Sequence, residues 1–286
     1  MSFIAILISI FIELGLKQLE DWRRFGWFEQ LTDWILLQMQ KTRVQEGPVT
    51  LIAVLAPVVL ATWLIAAVLS GVWVVFAFIF SVLILTLTLG PHDPLRITQE
   101  YLSALEQNDN DAAAAHATTL LGRTADGDLA VTVQNMKETL FITLVTHILG
   151  VFFWFVILGP VGAVLFRANC LLRARFAGAN NGLVAAIEEL HRILIWVPAR
   201  LAVIGYAITG SFVHTLESVS QVSDLWKMDS EKLLIECGLG AISLADESKE
   251  NEPDVHGLQM ALALVKRTVL AWLTALGLLV ITGWLS

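Results

Sequence analysis

Long uncharged apolar runs alternate along this chain with short stretches of mixed charge, and the run lengths predict membrane-spanning helices. Val49–Ser70 and Val72–Gly90 each continue for about 20 residues without a charge, the length a ~30 Å hydrocarbon core asks of an α-helix. The Ser70-Gly71 pair between them predicts a tight helical hairpin. Trp63 and Trp73 flank that turn, where an interfacial aromatic belt would place them, and Pro57 predicts a kink in the first helix. Thr139–Phe166 is apolar apart from His147. At 1.5 Å per residue it would reach about 42 Å, too long for one straight crossing. Gly159-Pro160-Val161-Gly162 offers a break, giving either two half-helices meeting at a cavity or one tilted, kinked span. Ile193–Val213 and Val269–Leu285 complete the apolar segments, the last with Lys266 and Arg267 at its foot.

The polar stretches carry helical patterns of their own. Lys17–Pro48 sets Trp22, Trp27 and Trp34 among mixed charges and reads as an interfacial amphipathic segment. Pro94–Gly122 reads as a helical hairpin: Ile97, Tyr101 and Leu105 recur at helical spacing, Asn108-Asp109-Asn110-Asp111 supplies a turn and N-cap, and Ala113, Ala117 and Leu120 continue on a second helix. In His214–Arg267, Leu233, Leu234, Cys237, Ala241 and Leu244 share one helical face behind a cap at Asp229 or Ser230, and an acidic loop, Asp246–Asp254, follows. Met1–Leu16 is apolar but interrupted by Glu13. It lacks a positive n-region and a small-residue cleavage site, so it reads as a retained helix, a short span or a half-inserted one.

These elements predict an all-α, polytopic helical membrane protein with kinked or re-entrant helices and small polar helical insertions. A single membrane domain over residues 1–286 would comprise an N-terminal helix and interfacial segment (1–48), a transmembrane hairpin (49–90), a polar helical hairpin (91–136), a re-entrant or transmembrane core (137–213), a polar acidic insertion (214–265) and a C-terminal transmembrane helix (266–286).

Composition agrees: 15% charged residues against 56% hydrophobic is far from the roughly 25% charged of a soluble domain. A net charge of −8 supplies no basic stripe for phosphates, so nucleic acid is not an expected partner; the bilayer is. Cys170 and Cys237 are too far apart for a CxxC site, and the six histidines (His92, His116, His147, His191, His214 and His256) do not cluster as metal ligands. No phosphate-binding GxxxxGK[ST] loop, GxSxG elbow or HExxH pair occurs, so no cofactor or metal is expected. Under the positive-inside rule the Lys/Arg of Lys17–Pro48, Arg167–Arg192 and Lys266-Arg267 would all be cytoplasmic. That requires Thr139–Phe166 to re-enter rather than cross, or an odd number of other segments to cross.

The strongest chemical signal is Arg200, the one charge in Ile193–Ile208 (ILIWVPARLAVIGYAI). A guanidinium at bilayer depth costs about 2.5–3.5 kcal/mol on insertion scales and cannot shed its proton. It must snorkel, line a wet cavity or pair with an anion. Pro198 predicts a broken or re-entrant helix there and frees the Leu194 carbonyl from its usual donor. His147 and Glu13 are secondary candidates, since such residues are more often satisfied core residues than ligands.

The order of short elements along the chain goes further than any single motif. Glu106-Gln107-Asn108-Asp109, Ala112–Ala115 and Leu121-Gly122-Arg123-Thr124 lead to Glu138-Thr139-Leu140 and Phe152-Phe153-Trp154. Gly159-Pro160-Val161-Gly162-Ala163, Phe166-Arg167-Ala168-Asn169 and Trp196-Val197-Pro198-Ala199-Arg200-Leu201 follow. This series resembles the membrane superfamily that joins the cobalamin-biosynthesis enzymes CobD/CbiB (adenosylcobinamide-phosphate synthase) to AmpE, an inner-membrane modulator linked to β-lactamase induction. The resemblance runs from about Ile97 to Gly210.

Departures from the enzyme branch favour AmpE. Positions that hold a Glu-Asn pair and an Asp in the enzymes are Ile142, Thr143 and Thr146; an Asn-Thr-Leu-Asp becomes Asn169-Cys170-Leu171-Leu172; an acidic pair falls at His191 and Arg192. Magnesium and ATP phosphates call for oxygen ligands, so the enzyme reading is the alternative, with Glu188 and Glu189 open as a rearranged acidic pair. The resemblance marks Arg123, Arg167, Asn169 and Arg200 as a candidate anion pocket, with Glu138 secondary. They would either converge on a phosphorylated or cell-wall-derived anion or brace irregular backbone. The expected role is an inner-membrane sensor or modulator in β-lactamase induction and cell-wall recycling, with a small anionic ligand or a protein signalling partner. A degenerate CobD/CbiB-type transferase or ligase is the main rival, and a transporter of cell-wall fragments, suggested only by the broken apolar helices, ranks third.

Overall fold

The computed structural model describes residues 5–6, 8–9, 25–42, 47–89, 94–125, 128–179, 181–215, 228–242 and 255–282. Glu13, Trp22, Leu244 and the acidic loop Asp246–Asp254 lie outside the described residues. Among the described residues no strand occurs. The helices are α1 (Gly26–Thr42), α2 (Gly47–Val72), α3 (Val74–Thr88), α4 (Pro94–Glu106), α5 (Asn110–Leu121), α6 (Leu129–Thr143), α7 (Gly150–Leu158), α8 (Pro160–Arg175), α9 (Gly182–Thr209), α10 (Ser230–Ile242) and α11 (Val255–Ile281), with a π-helical turn, Leu144–Leu149, joining α6 to α7. Among the described residues four stretches are long and apolar enough to cross a membrane, Gly47–Gly71, Leu129–Leu158, Gly182–Thr209 and Val255–Leu279, and α3 is a shorter apolar helix. The protein is an all-α polytopic membrane protein.

Several boundaries differ from the apolar runs, for a common reason. α9 begins at Gly182 and α11 at Val255, well before their uncharged portions at Ile193 and Val269. Hydropathy marks the lipid-compatible part of a helix, whereas the helix itself continues into amphipathic turns. The α2–α3 break falls at Trp73 (φ −153°, ψ 124°) rather than at Ser70-Gly71, and Ser70 bonds back to the Ala67 carbonyl at 2.9 Å within α2. Pro198 does not break its helix: α9 is continuous through it, which corrects the expectation of a re-entrant segment there.

The predicted break at Gly159 is present. Gly159 adopts φ +64°, ψ −152°, a region essentially open only to glycine, and Pro160 then opens α8 with its preset φ. The chain folds back sharply enough that a Cβ on Gly162 would lie 2.2 Å from the Trp154 carbonyl oxygen.

The contacts divide the chain into two compact units. The first holds Met1–Pro91, Gly150–Ile195 and Gly277–Ser286. Its core joins Phe28 and Ile35 of α1, Leu51, Val54 and Leu55 of α2, Leu172 of α8, and Leu183 and Ile187 of α9. Trp63, Trp73 and Phe76 of α2 and α3 face outward and are more than half exposed, as lipid-facing aromatics would be.

The second unit holds His92–Leu149 and Trp196–Leu276. α4 and α5 form the expected hairpin: Asp109 caps α5 by accepting from the Ala112 N–H at 3.0 Å, and Ile97, Tyr101, Ala113 and Ala117 are buried. α10 lays Leu233, Leu234 and Cys237 inward, and Gly238 lies so close to Phe141 of α6 that a Cβ would meet the ring at 2.7 Å. Phe141 also stacks edge-on against Tyr206, with ring centroids 5.5 Å apart.

A candidate anion-binding site

The reversal at Gly159 determines what α8 presents to its neighbours. Val164, Arg167, Ala168 and Leu171 fall at i, i+3, i+4 and i+7, one face of a helix. That face closes a cavity of about 350 Å³ together with Phe28 of α1, Pro57, Ala61 and Thr62 of α2, and Ile84 and Thr88 of α3. Among the described residues Arg167 is the only charged one in the lining, and it is 5% exposed. The two threonine hydroxyls are already committed as donors, Thr62 to the Val58 carbonyl at 2.8 Å and Thr88 to that of Leu85 at 3.0 Å. The described lining is therefore apolar apart from this guanidinium and the two threonines.

Asn169 does not share this chamber. Two residues on from Arg167, it points about 200° around the helix and is absent from the cavity wall. It is fully buried, and among the described residues neither of its amide atoms meets a hydrogen-bond partner.

The acids that remained open as a rearranged pair are both engaged by arginines. Glu188 accepts from Arg173 Nε with both carboxylate oxygens at 2.9 Å, and Arg173 Nη1 lies 3.4 Å from His191 Nε2. Glu189 accepts from Arg192 Nη2 at 2.6 Å. The carbonyl freed by Pro198 is also occupied: the Trp154 indole N–H donates to Leu194 O at 2.9 Å. In the sequence Phe152-Phe153-Trp154 stood out only as a motif and Arg173 only as part of the Arg167–Arg192 topological charge. The Trp154–Leu194 and Arg173–Glu188 pairs have no local sequence signal, since each joins residues of different helices, whereas Glu189 and Arg192 stand at i, i+3 on α9.

In the second unit, Arg200 donates to the Trp196 carbonyl at 3.0 Å, Ser230 Oγ at 2.8 Å and the Met228 carbonyl at 3.2 Å, and its guanidinium stacks 4.4 Å from the Trp196 ring. Ser230 is the first residue of α10, whose N-cap Asp229 accepts from the Glu231 and Lys232 N–H groups. Arg200 thus ties α9 to the start of α10. Arg123 is exposed, just beyond the left-handed C-cap Gly122 of α5. Glu138 accepts from the Gln134 side chain at 2.7 Å on its own helix. His147 is half-buried on the π-helical turn; such turns often occur at functional sites. Among the described residues no group of three or more His, Cys, Asp or Glu could hold a metal ion.

A family model described as "Regulatory signalling modulator protein AmpE" matches residues 1–286. The chain belongs to this family. Among curated relatives it is 26% identical to Protein AmpE of Shigella flexneri over 192 residues, covering 64% of this chain and 66% of that protein. The matched part thus spans just under two thirds of that relative's length. It is also 24% identical to the cobalamin biosynthesis protein CobD of Stutzerimonas stutzeri over 248 residues, covering 80% of this chain and 79% of that protein. A second CobD, from Chromobacterium violaceum, is 23% identical over 203 residues, 70% of this chain and 64% of that protein. No solved structure matches.

Proposed function

We propose that this member of the AmpE family is an inner-membrane modulator of β-lactamase induction and cell-wall-recycling signalling, acting by binding an anionic ligand. The observation that carries the ligand part is Arg167, a buried guanidinium in the wall of a cavity whose other described lining residues are uncharged. A charge so placed is costly, and arginine's planar fork suits a phosphate or carboxylate. Family membership supports the modulator part. Of the four residues marked in the sequence, Arg167 is assigned to the ligand because it lines the cavity, and Arg200 to bracing because it ties α9 to the start of α10.

The test restores a gene-deletion strain with wild type, Arg167→Gln or Arg200→Ala and measures β-lactamase induction beside membrane abundance. Deletion alters induction with near-normal growth; Arg167→Gln reproduces that phenotype at wild-type abundance. Unchanged induction on deletion overturns the modulator reading, and normal induction with Arg167→Gln at normal abundance overturns the ligand reading.

The CobD relatives favour a second reading, a membrane-embedded transferase or ligase. Against it, Ile142, Thr143, Thr146 and Leu172 offer no carboxylate, and Glu188 and Glu189 are held by Arg173 and Arg192. Rescue of a strain lacking adenosylcobinamide-phosphate synthase by this gene would establish that reading in its place.

A further inference from the structure

The face of α8 turned away from the cavity carries a polar group that no described residue satisfies. Gly162, Phe166, Asn169 and Arg173 fall at i, i+4, i+7 and i+11, one stripe of the helix. The stripe is packed along its length: Gly162 lies against the Trp154 carbonyl of α7, Phe166 and Asn169 are fully buried, and Arg173 meets Glu188 and His191 of α9. Asn169 brings two amide protons and a carbonyl oxygen into that layer, and among the described residues neither Nδ2 nor Oδ1 has a hydrogen-bond partner. Native folds seldom strand a buried polar group, and one left unmet calls for a specific reason, a bound group among them.

The next polar group on the stripe narrows the class of ligand. Arg173 stands one turn beyond Asn169, about 6 Å along the helix axis. Its Nε holds both carboxylate oxygens of Glu188 at 2.9 Å, and the two side chains are 32% and 47% exposed. The guanidinium is thus set to receive a carboxylate, and the one it holds can return to water. An ion pair this exposed adds little to stability, so a ligand carboxylate would compete with it on near-equal terms. A carboxylate cannot serve Asn169 as well, because it only accepts and would leave Oδ1 unmet. A residue in an extended peptide turns its N–H and C=O to the same side, which matches Oδ1 and Nδ2 in two parallel bonds. A carboxylate one residue beyond such a pair is what the C-terminal end of a peptide carries, and backbone capture of that end is an established mode of recognition.

We infer that the seam between α8 and α9 binds the C-terminal end of a short extended peptide and is closed in this structure by Glu188. Arg173 receives the peptide carboxylate in place of Glu188, and Asn169 takes the N–H and C=O of the residue before it. All three side chains belong to the first unit, within Gly150–Ile195. Asn169 is fully buried here, so the peptide enters only as α8 and α9 part, and displacement of Glu188 and that parting are one event. The site goes beyond the anion reading at Arg167, which lies on the other face of α8.

The test measures equilibrium binding of isotope-labelled N-acetyl-Ala-Ala to the full-length protein in nanodiscs, with the C-terminal amide of the same peptide and acetate as competitors. Wild type binds the acid, and both competitors displace it at least tenfold less well than unlabelled acid. Glu188→Gln removes the internal competitor and tightens binding at least threefold. Asn169→Leu sets an apolar group of similar shape where the stranded amide was, so it loses at least tenfold in affinity while resisting unfolding as well as wild type or better. No saturable binding to Glu188→Gln, equal competition by the amide form, or full affinity in Asn169→Leu overturns the site. A less stable Asn169→Leu protein overturns it too, since the amide would then be bonded within the fold. Arg167→Gln binds the peptide as wild type does; loss of binding there overturns this site and moves the peptide to the cavity. Peptide binding that persists while Arg167→Gln leaves induction normal upholds this site and removes the Arg167 reading.

Discussion

The bond between Trp154 and the Leu194 carbonyl gives the sharpest quantitative prediction, because the two ends of the problem can be changed separately. Pro198 has no N–H, so Leu194 O loses its helical donor, and the Trp154 indole takes that place at 2.9 Å. Leu194 is 4% exposed, so water offers little compensation when the indole is removed. Trp154→Phe should therefore destabilise by about 1–3 kcal/mol for the stranded carbonyl, plus a packing loss from the smaller ring. Pro198→Ala restores a backbone donor, and in that background the carbonyl keeps a partner when the indole is lost. The packing loss is common to both backgrounds and cancels in the double-mutant cycle, leaving a coupling of about 1–2 kcal/mol. Reversible unfolding in mixed micelles with increasing SDS, followed by far-UV circular dichroism on all four proteins, measures it. If Trp154→Phe costs the same with and without Pro198, the indole is not serving the proline-freed carbonyl and the argument fails.

Gly162→Ala should destabilise the α7–α8 reversal by about 1–3 kcal/mol, the usual range for forcing atoms into packed space, because its Cβ would meet the Trp154 carbonyl. A Gly162→Ala protein with wild-type unfolding would disprove that close approach. Arg200→Ala should lower membrane abundance by losing the ties to Met228 and Ser230, with Arg200→Lys intermediate because an ammonium cannot reproduce the fork; lost induction at full abundance would instead make Arg200 part of the ligand site. Burial, and secondarily Glu236, push the Cys237 thiol from 9.0 to about 12. At pH 8 a maleimide should therefore label half-buried Cys170 well before Cys237, a rank order that mass spectrometry of the digested protein checks. The same shift makes Cys237 favour the folded state below pH 9, a contribution lost as pH rises from 9 toward 12. Cys237→Ala should flatten the alkaline decline in stability over that window, and an unchanged decline would exclude the thiol as its source.

Much of the fold was legible in the sequence because the bilayer imposes local rules. A span must be apolar for about 20 residues, so α2 and α3 stood out as a hairpin. The α4–α5 hairpin and the inward face of α10 showed as helical periodicity with Asp109 and Asp229 as caps. Gly159-Pro160 announced its own break, since few other pairs accept that backbone followed at once by a helix. Arg200 was recognisable as needing a partner, because its charge cannot be titrated away.

Which partner each group met was decided by tertiary structure. Pro198 was read as breaking a helix that in fact runs through it; the sequence gives the missing donor, but only the folded chain brings the Trp154 indole 40 residues away to replace it. Glu188 and Glu189 were open as a rearranged acidic pair; helix packing set Arg173 against the first, while Arg192 meets the second at i, i+3 on the same helix. Arg167 and Asn169 stand two residues apart in one motif, yet the helical twist of about 100° per residue puts the first in the cavity and the second on the opposite side, buried elsewhere. Sequence fixes which groups are costly to leave alone, because desolvation depends on the residue and its immediate surroundings. The meeting of distant helices decides what satisfies them, and here it makes Arg200 a brace and sets Arg167 in the described lining of a cavity.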